Sequence, residues 1–311
     1  MLVTKRLWLA LGVVFFVSFA LLGNLGSQIY QVAPPIPEKV MVAGGDTVLF
    51  NKDQIEKGQN VWQSMGGHDT GSIWGHGSYL APDWSADWLH REAVALLDVY
   101  ASKDEGVPYA VVSMEKQAGL KERLKTEMRA NTYDAESGVL TISADRAAAV
   151  ESVKAHYAAL FSDDPALESL REDYAIKNNP VPSAENRDAL NAFVFWTAWA
   201  ATTERPGDTI TYTSNWPHEE LVGNQPISSM LVWTMFSVLA MMAGVGFLAW
   251  YHVSQVAHEG PISIPSSNPL AGVQLTPSMK ASFKFFAVVA ALFIVQIAMG
   301  GRDRALLGRR T

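Results

Sequence analysis

At 311 residues, 49% of them apolar and with a mean hydropathy of +0.07, the chain has room for one sizeable domain plus membrane segments. Acidic residues outnumber basic ones 31 to 24, and residues 31–227 concentrate the excess with 29 acidic against 16 basic side chains, a net charge of −13. Such a surface repels phosphate backbones, which argues against nucleic-acid binding, and the absence of cysteine excludes disulfides.

Leu7 to Ile29 is an uncharged apolar stretch behind Lys5 and Arg6. A signal peptide shares this form, but the length and the lack of a small-x-small cleavage site after the apolar core favour a retained anchor, residues 1–30. The basic start places the N-terminus in the cytoplasm and the acidic segment 31–227 outside, in a periplasm-like space.

That segment reads mainly as helices. Asp53 to Ser64 is predicted helical with Ile55, Val61 and Trp62 inward. The next window, Ser64-Met65-Gly66-Gly67-His68, has the length and closing histidine of the Cys-x-x-Cys-His motif that binds haem covalently, but without its thiols. No covalent haem can form there, and His68 reads as a satisfied or solvent-facing histidine in preference to the ligand of a non-covalent haem. Gly66, Gly67, Gly71, Gly75 and Gly77 permit tight turns, and Trp62, Trp74, Tyr79 and Trp84 are expected to fill the volume of a porphyrin.

Asp83 or Ser85 can cap a second helix carrying Trp88, Leu89, Leu96, Leu97 and Tyr100. Leu120, Leu124 and Met128 mark one stripe of a third. Val139 to Ile142 is a short strand after the turn Glu136-Ser137-Gly138, and Ser143 opens a helix through Val150, Val153, Tyr157, Leu160 and Phe161 that Asp164-Pro165 stops. A short helix is expected from Ala166 to Tyr174, then one capped by Ser183 with Phe193, Phe195, Trp196 and Trp199. Thr209 to Pro226 reads as an extended lead into the next span, with Trp216 held in β or polyproline conformation by Pro217 and its ring near the headgroups. His218-Glu219-Glu220 resembles a metal cluster only superficially and reads as a solvated loop. The acidic surface reads as a solubilising face in preference to a docking patch.

Met230 to Val253 is uncharged over 24 residues, about 36 Å of helix at ~1.5 Å per residue, enough to cross a hydrocarbon core of roughly 30 Å. Trp233 and the Trp250-Tyr251 pair sit near its two ends, as interfacial aromatics do. Ala281 to Met299 is a third span, in which Lys284 can snorkel and Gln296 can bond a neighbouring helix.

Gly58 to Trp88, the run Phe195-Trp196-Thr197-Ala198-Trp199-Ala200 through Arg205-Pro206-Gly207, and Tyr212 to Asn224 together resemble the N-terminal part of the quinol-dependent nitric oxide reductases. The resemblance covers about residues 1 to 301. It implies a mainly α fold: a haem-free cytochrome c-like periplasmic domain with three transmembrane helices. The implied layout is an anchor at 1–30, the domain at 31–227, spans at 228–254 and 281–301, a cytoplasmic loop at 255–280 between them, and an atypical basic tail at 302–311. Ser64, Gly67 and His68 then align with a degenerate haem c motif, whose loss implies electrons arriving from quinol.

The reaction so implied is 2 NO + 2 H⁺ + 2 e⁻ → N₂O + H₂O, a step of denitrification, at haem b3 beside a non-haem iron, with a further haem b. These centres need histidines from several membrane helices. Here His68, His76, His90, His156 and His218 fall in the outer domain, and His252 and His258 at or beyond the cytoplasmic end of the second span. No catalytic, cofactor-binding or metal-ligating residue is therefore assigned. The tail Arg302, Arg304, Arg309 and Arg310 opposes the positive-inside bias, from which a truncated or frame-shifted product is expected, inactive alone unless another polypeptide supplies the rest of the bundle. The expected location is the inner membrane, multi-pass. Two other classes stay open: a membrane-anchored binding or assembly module, and a diverged electron carrier with non-covalent haem on His68 and a methionine.

Overall fold

A computed structural model describes residues 2–259 and 276–307. The chain divides into two units, 1–231 and 232–311. In the first, helix α1 (Leu2–Gln31) precedes a helical domain with a small sheet.

The sheet has the strand order β2-β1-β6-β5, built from β1 (Lys39–Val42), β2 (Val48–Asn51), β5 (Tyr133–Asp134) and β6 (Val139–Ile142). Only β6 is legible in the sequence, from the turn Glu136-Ser137-Gly138 before it, because strands of two to four residues are too short to be recognised by alternation. β1 runs parallel to β6 and antiparallel to β2, which brings Val40, Phe50 and Leu140 into the core.

Five helices meet the sequence expectations closely. α2 (Lys52–Ser64) opens on a capping box, with Asn51 and Gln54 bonding each other's backbone N–H at 2.9 and 3.0 Å. Asp83 caps α3 (Trp84–Glu105), and Gly106, left-handed at φ +70°, closes it. α4 (Met114–Arg129) buries the stripe Leu120, Leu124 and Met128. Ser143 and Ser183 cap α5 (Ala144–Leu160) and α7 (Ala184–Thr202). Between them the segment from Ala166 to Tyr174 forms a 3-10 turn, Pro165–Leu167, and then α6 (Glu168–Asp173).

α7 is the central helix, packed against α2, α3 and α5. Its Ala-rich stretch allows close approach, and α2 answers with Gly58. An added Cβ there would lie 1.9 Å from the Ala189 carbonyl oxygen and 2.7 Å from Phe193 Cβ. Around these helices the interior is aromatic: Trp88 meets Tyr157 edge-on at 4.9 Å, Trp84 meets Phe161 at 5.3 Å and Phe50 meets Phe195 at 5.2 Å. Such pairs contribute about 0.5–1.5 kcal/mol each beyond area burial.

Three helices are long and apolar enough to cross a membrane, through Leu11–Gln28 in α1, Leu231–Gln255 in α8 (Ser228–Glu259) and Pro277–Val295 in α9 (Pro277–Leu307). Among the described residues the apolar side chains of these stretches are exposed, so lipid is the solvent that suits them, and the chain is a multi-pass membrane protein. α9 continues helical as far as Leu307. Residues 260–275 of the expected cytoplasmic loop, the side chains of His258, Gln296, Arg302 and Arg304, and Arg309 and Arg310 altogether lie outside the described residues.

Candidate functional site

The degenerate motif sits where α2 ends. Ser64 Oγ donates to the Val61 carbonyl at 2.8 Å, closing the helix, and Gly66 and Gly67 take φ +133° and +54° to turn the chain. A 3-10 turn, Gly67–Thr70, then presents His68 at the surface. Its Nδ1 lies 2.7 Å from the His76 carbonyl oxygen. A carbonyl only accepts, so Nδ1 carries a proton and donates it there. The imidazole stands edge-on against Trp62, ring centroids 4.7 Å apart.

The ring orientation alone suits a metal ligand, since ligating histidines commonly donate their other N–H to a carbonyl. The surroundings do not suit a c-type haem. Positions 64 and 67 are serine and glycine in place of two thiols, and the indole of Trp62, buried against Phe193 at 5.8 Å, occupies the flank of the ring. Among the described residues no group of three or more His, Cys, Asp or Glu is arranged to hold a metal ion.

The loop beyond the motif folds around Trp84, through the short hairpin β3 (Ser72–Ile73) and β4 (His76–Gly77). Trp84 Nε1 donates to the Thr70 carbonyl at 2.8 Å, and Gly71, at φ +111°, lets the indole approach so closely that a Cβ would lie 2.4 Å from Nε1. Asp83 ties loop to helix: Oδ2 accepts from Ser72 Oγ at 2.8 Å and Gly75 N at 2.6 Å, while Oδ1 accepts from Ala86 N at 3.0 Å and from Ser85 Oγ. Asp83→Ala removes the acceptor for all four donors. Its expected cost is about 3 kcal/mol, above the ~1 kcal/mol of a simple cap, and differential scanning calorimetry of the detergent-solubilised chain checks it against Asp83→Asn, which keeps one acceptor oxygen.

Of the four aromatics expected to fill the interior, Trp62 and Trp84 do so and Trp74 is half-buried, its Nε1 donating to the Thr197 carbonyl at 2.8 Å. Tyr79 does not: it is 93% exposed, beside an exposed Leu80. It follows the hairpin, where the Ser78 N–H bond to the His68 carbonyl at 2.7 Å sets the course of the loop and leaves the ring in solvent.

The segment Thr209 to Pro226 is not extended either. It is folded into successive turns, with bridges Glu204–Thr211 and Glu219–Asn224 and left-handed Ser214 and Asn215. Two side chains gather it. Arg129 donates to Glu204 at 2.8 Å, Asn224 Oδ1 at 3.0 Å and the Thr209 carbonyl at 2.8 Å, and the Asn224 amide donates to the carbonyls of Ala201 and Pro217. Neither residue stands out in the sequence; the turn pairs Pro-Gly, Ser-Asn and Gly-Asn are the available signal. His218 bonds the Asn224 carbonyl at 2.7 Å, and Glu219 meets His90 at 2.9 Å, so both serve this turn region.

Cavities open on the domain surface among the described residues. One of about 880 Å³ lies between α3 and α5, flanked by His90, Arg91, Asp98, Lys103 and His156. Partial burial there, with Arg91 nearby, holds the His156 imidazole below its ordinary pKa. Another, of about 650 Å³, lies where α1 joins the domain and is walled by Val32, Pro34, Trp74, Tyr212, Trp216 and Arg205.

The family model for the NorB-type cytochrome c-like domain of nitric oxide reductase matches residues 37–218, more than half of the chain. The chain belongs to that family. In this NorB-like protein the matched residues take in the sheet, α2 to α7 and most of the Arg129-bound turns, so the match and the folded domain coincide. No curated protein matches the chain.

Proposed function

We propose that these residues form the cytochrome c-like domain and first membrane helices of a nitric oxide reductase that takes its electrons from quinol, with the domain on the periplasmic side of the inner membrane and working without haem. The observation that carries the reading is the motif at 64–68, where the thiols are missing and Trp62 lies against the remaining histidine. A domain of this family without its haem has no redox centre of its own. Electrons must then reach the iron centres by another route, and a donor dissolved in the bilayer meets the membrane helices directly.

Haem b, haem b3 and non-haem iron would supply the reduction of NO to N₂O when bound. The residues here do not fit them: His68, His90 and His218 are bonded within turns of the domain, His156 stands apart from them between α3 and α5, and His252 lies near the end of its span. The chain's own contribution is structural: an acidic domain with an aromatic core, and three helices apolar enough to cross the membrane. On this reading the iron centres are held by membrane helices other than the three described, and these residues by themselves are expected to turn over no NO.

Anaerobic NO consumption with reduced quinol tests this. Membranes containing these residues alone stay at background, and the purified chain shows no Soret band. Once the chain is joined to an iron-bearing bundle, reduced quinol sustains consumption and reduced soluble cytochrome c does not. Turnover by the chain alone, a Soret band, or preference for the cytochrome would each overturn the corresponding part.

A further inference from the structure

The geometry points to a phospholipid-binding site at the foot of the domain, in the cavity of about 650 Å³ beside the end of α1, with Arg205 holding the headgroup phosphate. Val32 and Pro34, which line it, come directly after Gln31, the last residue of α1, whose membrane-spanning stretch ends near Gln28. At ~3.3 Å per residue the cavity begins within about 10 Å of the helix end, the depth at which headgroups lie. Its walls are mostly apolar or aromatic: Val32, Pro34, Trp74, Tyr212 and Trp216. An indole and a phenol at that depth suit the mixed polarity of the interface.

Arg205 is the feature of this wall that the fold does not account for. Its Nη2 donates to the Tyr212 carbonyl at 3.0 Å and to Ser214 Oγ at 3.2 Å, which orients the guanidinium. Among the described residues Nη1 makes no hydrogen bond, Nε is buried without a partner, and no carboxylate pairs with the group. Arg129, bound to the same turns, has its glutamate at 2.8 Å; Arg205 has none, in a segment whose net charge is −13. A fixed guanidinium with spare donors takes a phosphate, and the Ser214 hydroxyl, which accepts from Arg205, keeps its own proton to donate at the same wall. Free phosphate would use the cation but not the apolar walls. A phospholipid uses both, its acyl chains continuing along α1 into the bilayer.

Native mass spectrometry of the full chain, purified in mild detergent, delipidated and titrated with phosphatidylglycerol, tests the assignment, with inorganic phosphate as the competing probe. The wild-type chain should retain one lipid in this range. Arg205→Met should bind it at least about tenfold more weakly, Arg205→Lys should keep most of the affinity, and Ala33→Trp, which fills the mouth and leaves the guanidinium bonds in place, should lose it. Near-UV circular dichroism identifies a variant that has lost its fold, and Ala33→Trp decides if Arg205→Met does. Unchanged lipid retention in Arg205→Met and Ala33→Trp, or millimolar phosphate displacing all bound lipid while Ala33→Trp binds both as the wild type does, would overturn it.

Discussion

Gly58→Ala should unfold the domain or lower its thermal midpoint by roughly 10 °C, although alanine is the better helix former by about 1 kcal/mol. Gly58 is buried in the middle of α2, and an alanine methyl would sit 1.9 Å from the Ala189 carbonyl oxygen and 2.6 Å from its carbon. Both are backbone atoms of α7, so no rotamer change relieves the contact. The helices must separate, and α7 also carries Phe193, Phe195 and Trp199 into the core, so the displacement reaches most of the interior. Overpacking of this kind costs about 3 kcal/mol or more when backbone is the obstacle. Gly119→Ala supplies the control: that glycine is exposed on α4 with nothing within 4 Å of an added Cβ, and the substitution should stabilise by about 0.5–1 kcal/mol. Opposite signs for one chemical change on two helices separate packing from propensity. Thermal melting of both variants measures it, and equal shifts would refute the role given to Gly58.

Glu92→Ala should be of comparable severity, about 3–5 kcal/mol. Glu92 is fully buried on α3 and meets Arg146 Nε at 2.7 Å from the start of α5, where Arg146 is only 3% exposed. Trp88 Nε1 donates to the second carboxylate oxygen at 2.9 Å. Removing the carboxylate strands a guanidinium in the aromatic core, 6.0 Å from the Phe195 ring centroid, with Nη2 already lacking a partner. The penalty is therefore the uncompensated charge more than the lost bond. It follows that the double variant Glu92→Leu/Arg146→Met, apolar at both positions, should be less destabilised than either single change. Denaturant melts of Glu92→Leu, Arg146→Met and the double variant close the cycle, and additive losses would show that the two groups do not act as a pair.

The two predictions differ in what announces them. Glu92 and Arg146 lie 54 positions apart on helices whose other buried residues are mostly apolar, and each reads in the sequence as an ordinary solvated charge on a helix face. Only the packing of α3 on α5 brings them together. Gly58 is visible as part of a family-like run, but its reason is the backbone of α7, more than 130 residues later. The strands β1, β2 and β5 share this limit, since a segment of two to four residues becomes a strand through its partner. Tyr79 and the turns gathered by Arg129 escape a sequence reading for the same cause, because a loop's course is set by the contacts that fold it back.

Local chemistry and composition are legible along the chain before it folds. Long apolar runs, the third interrupted only by Lys284, mark three membrane helices, capping residues and apolar spacing mark α2, α3, α4, α5 and α7, and the missing thiols at Ser64 and Gly67 exclude covalent haem. Which polar groups face each other belongs to the tertiary structure: Asp83 with the hairpin, Arg129 with the late turns, Glu92 with Arg146, and Arg205 without a counter-ion among the described residues, at the wall of a cavity beside α1. The physical reason is range. Hydrogen-bonded turns and helical periods are written within a few residues, whereas the pairing of charges and the shape of a cavity arise between segments that meet only once the chain has folded.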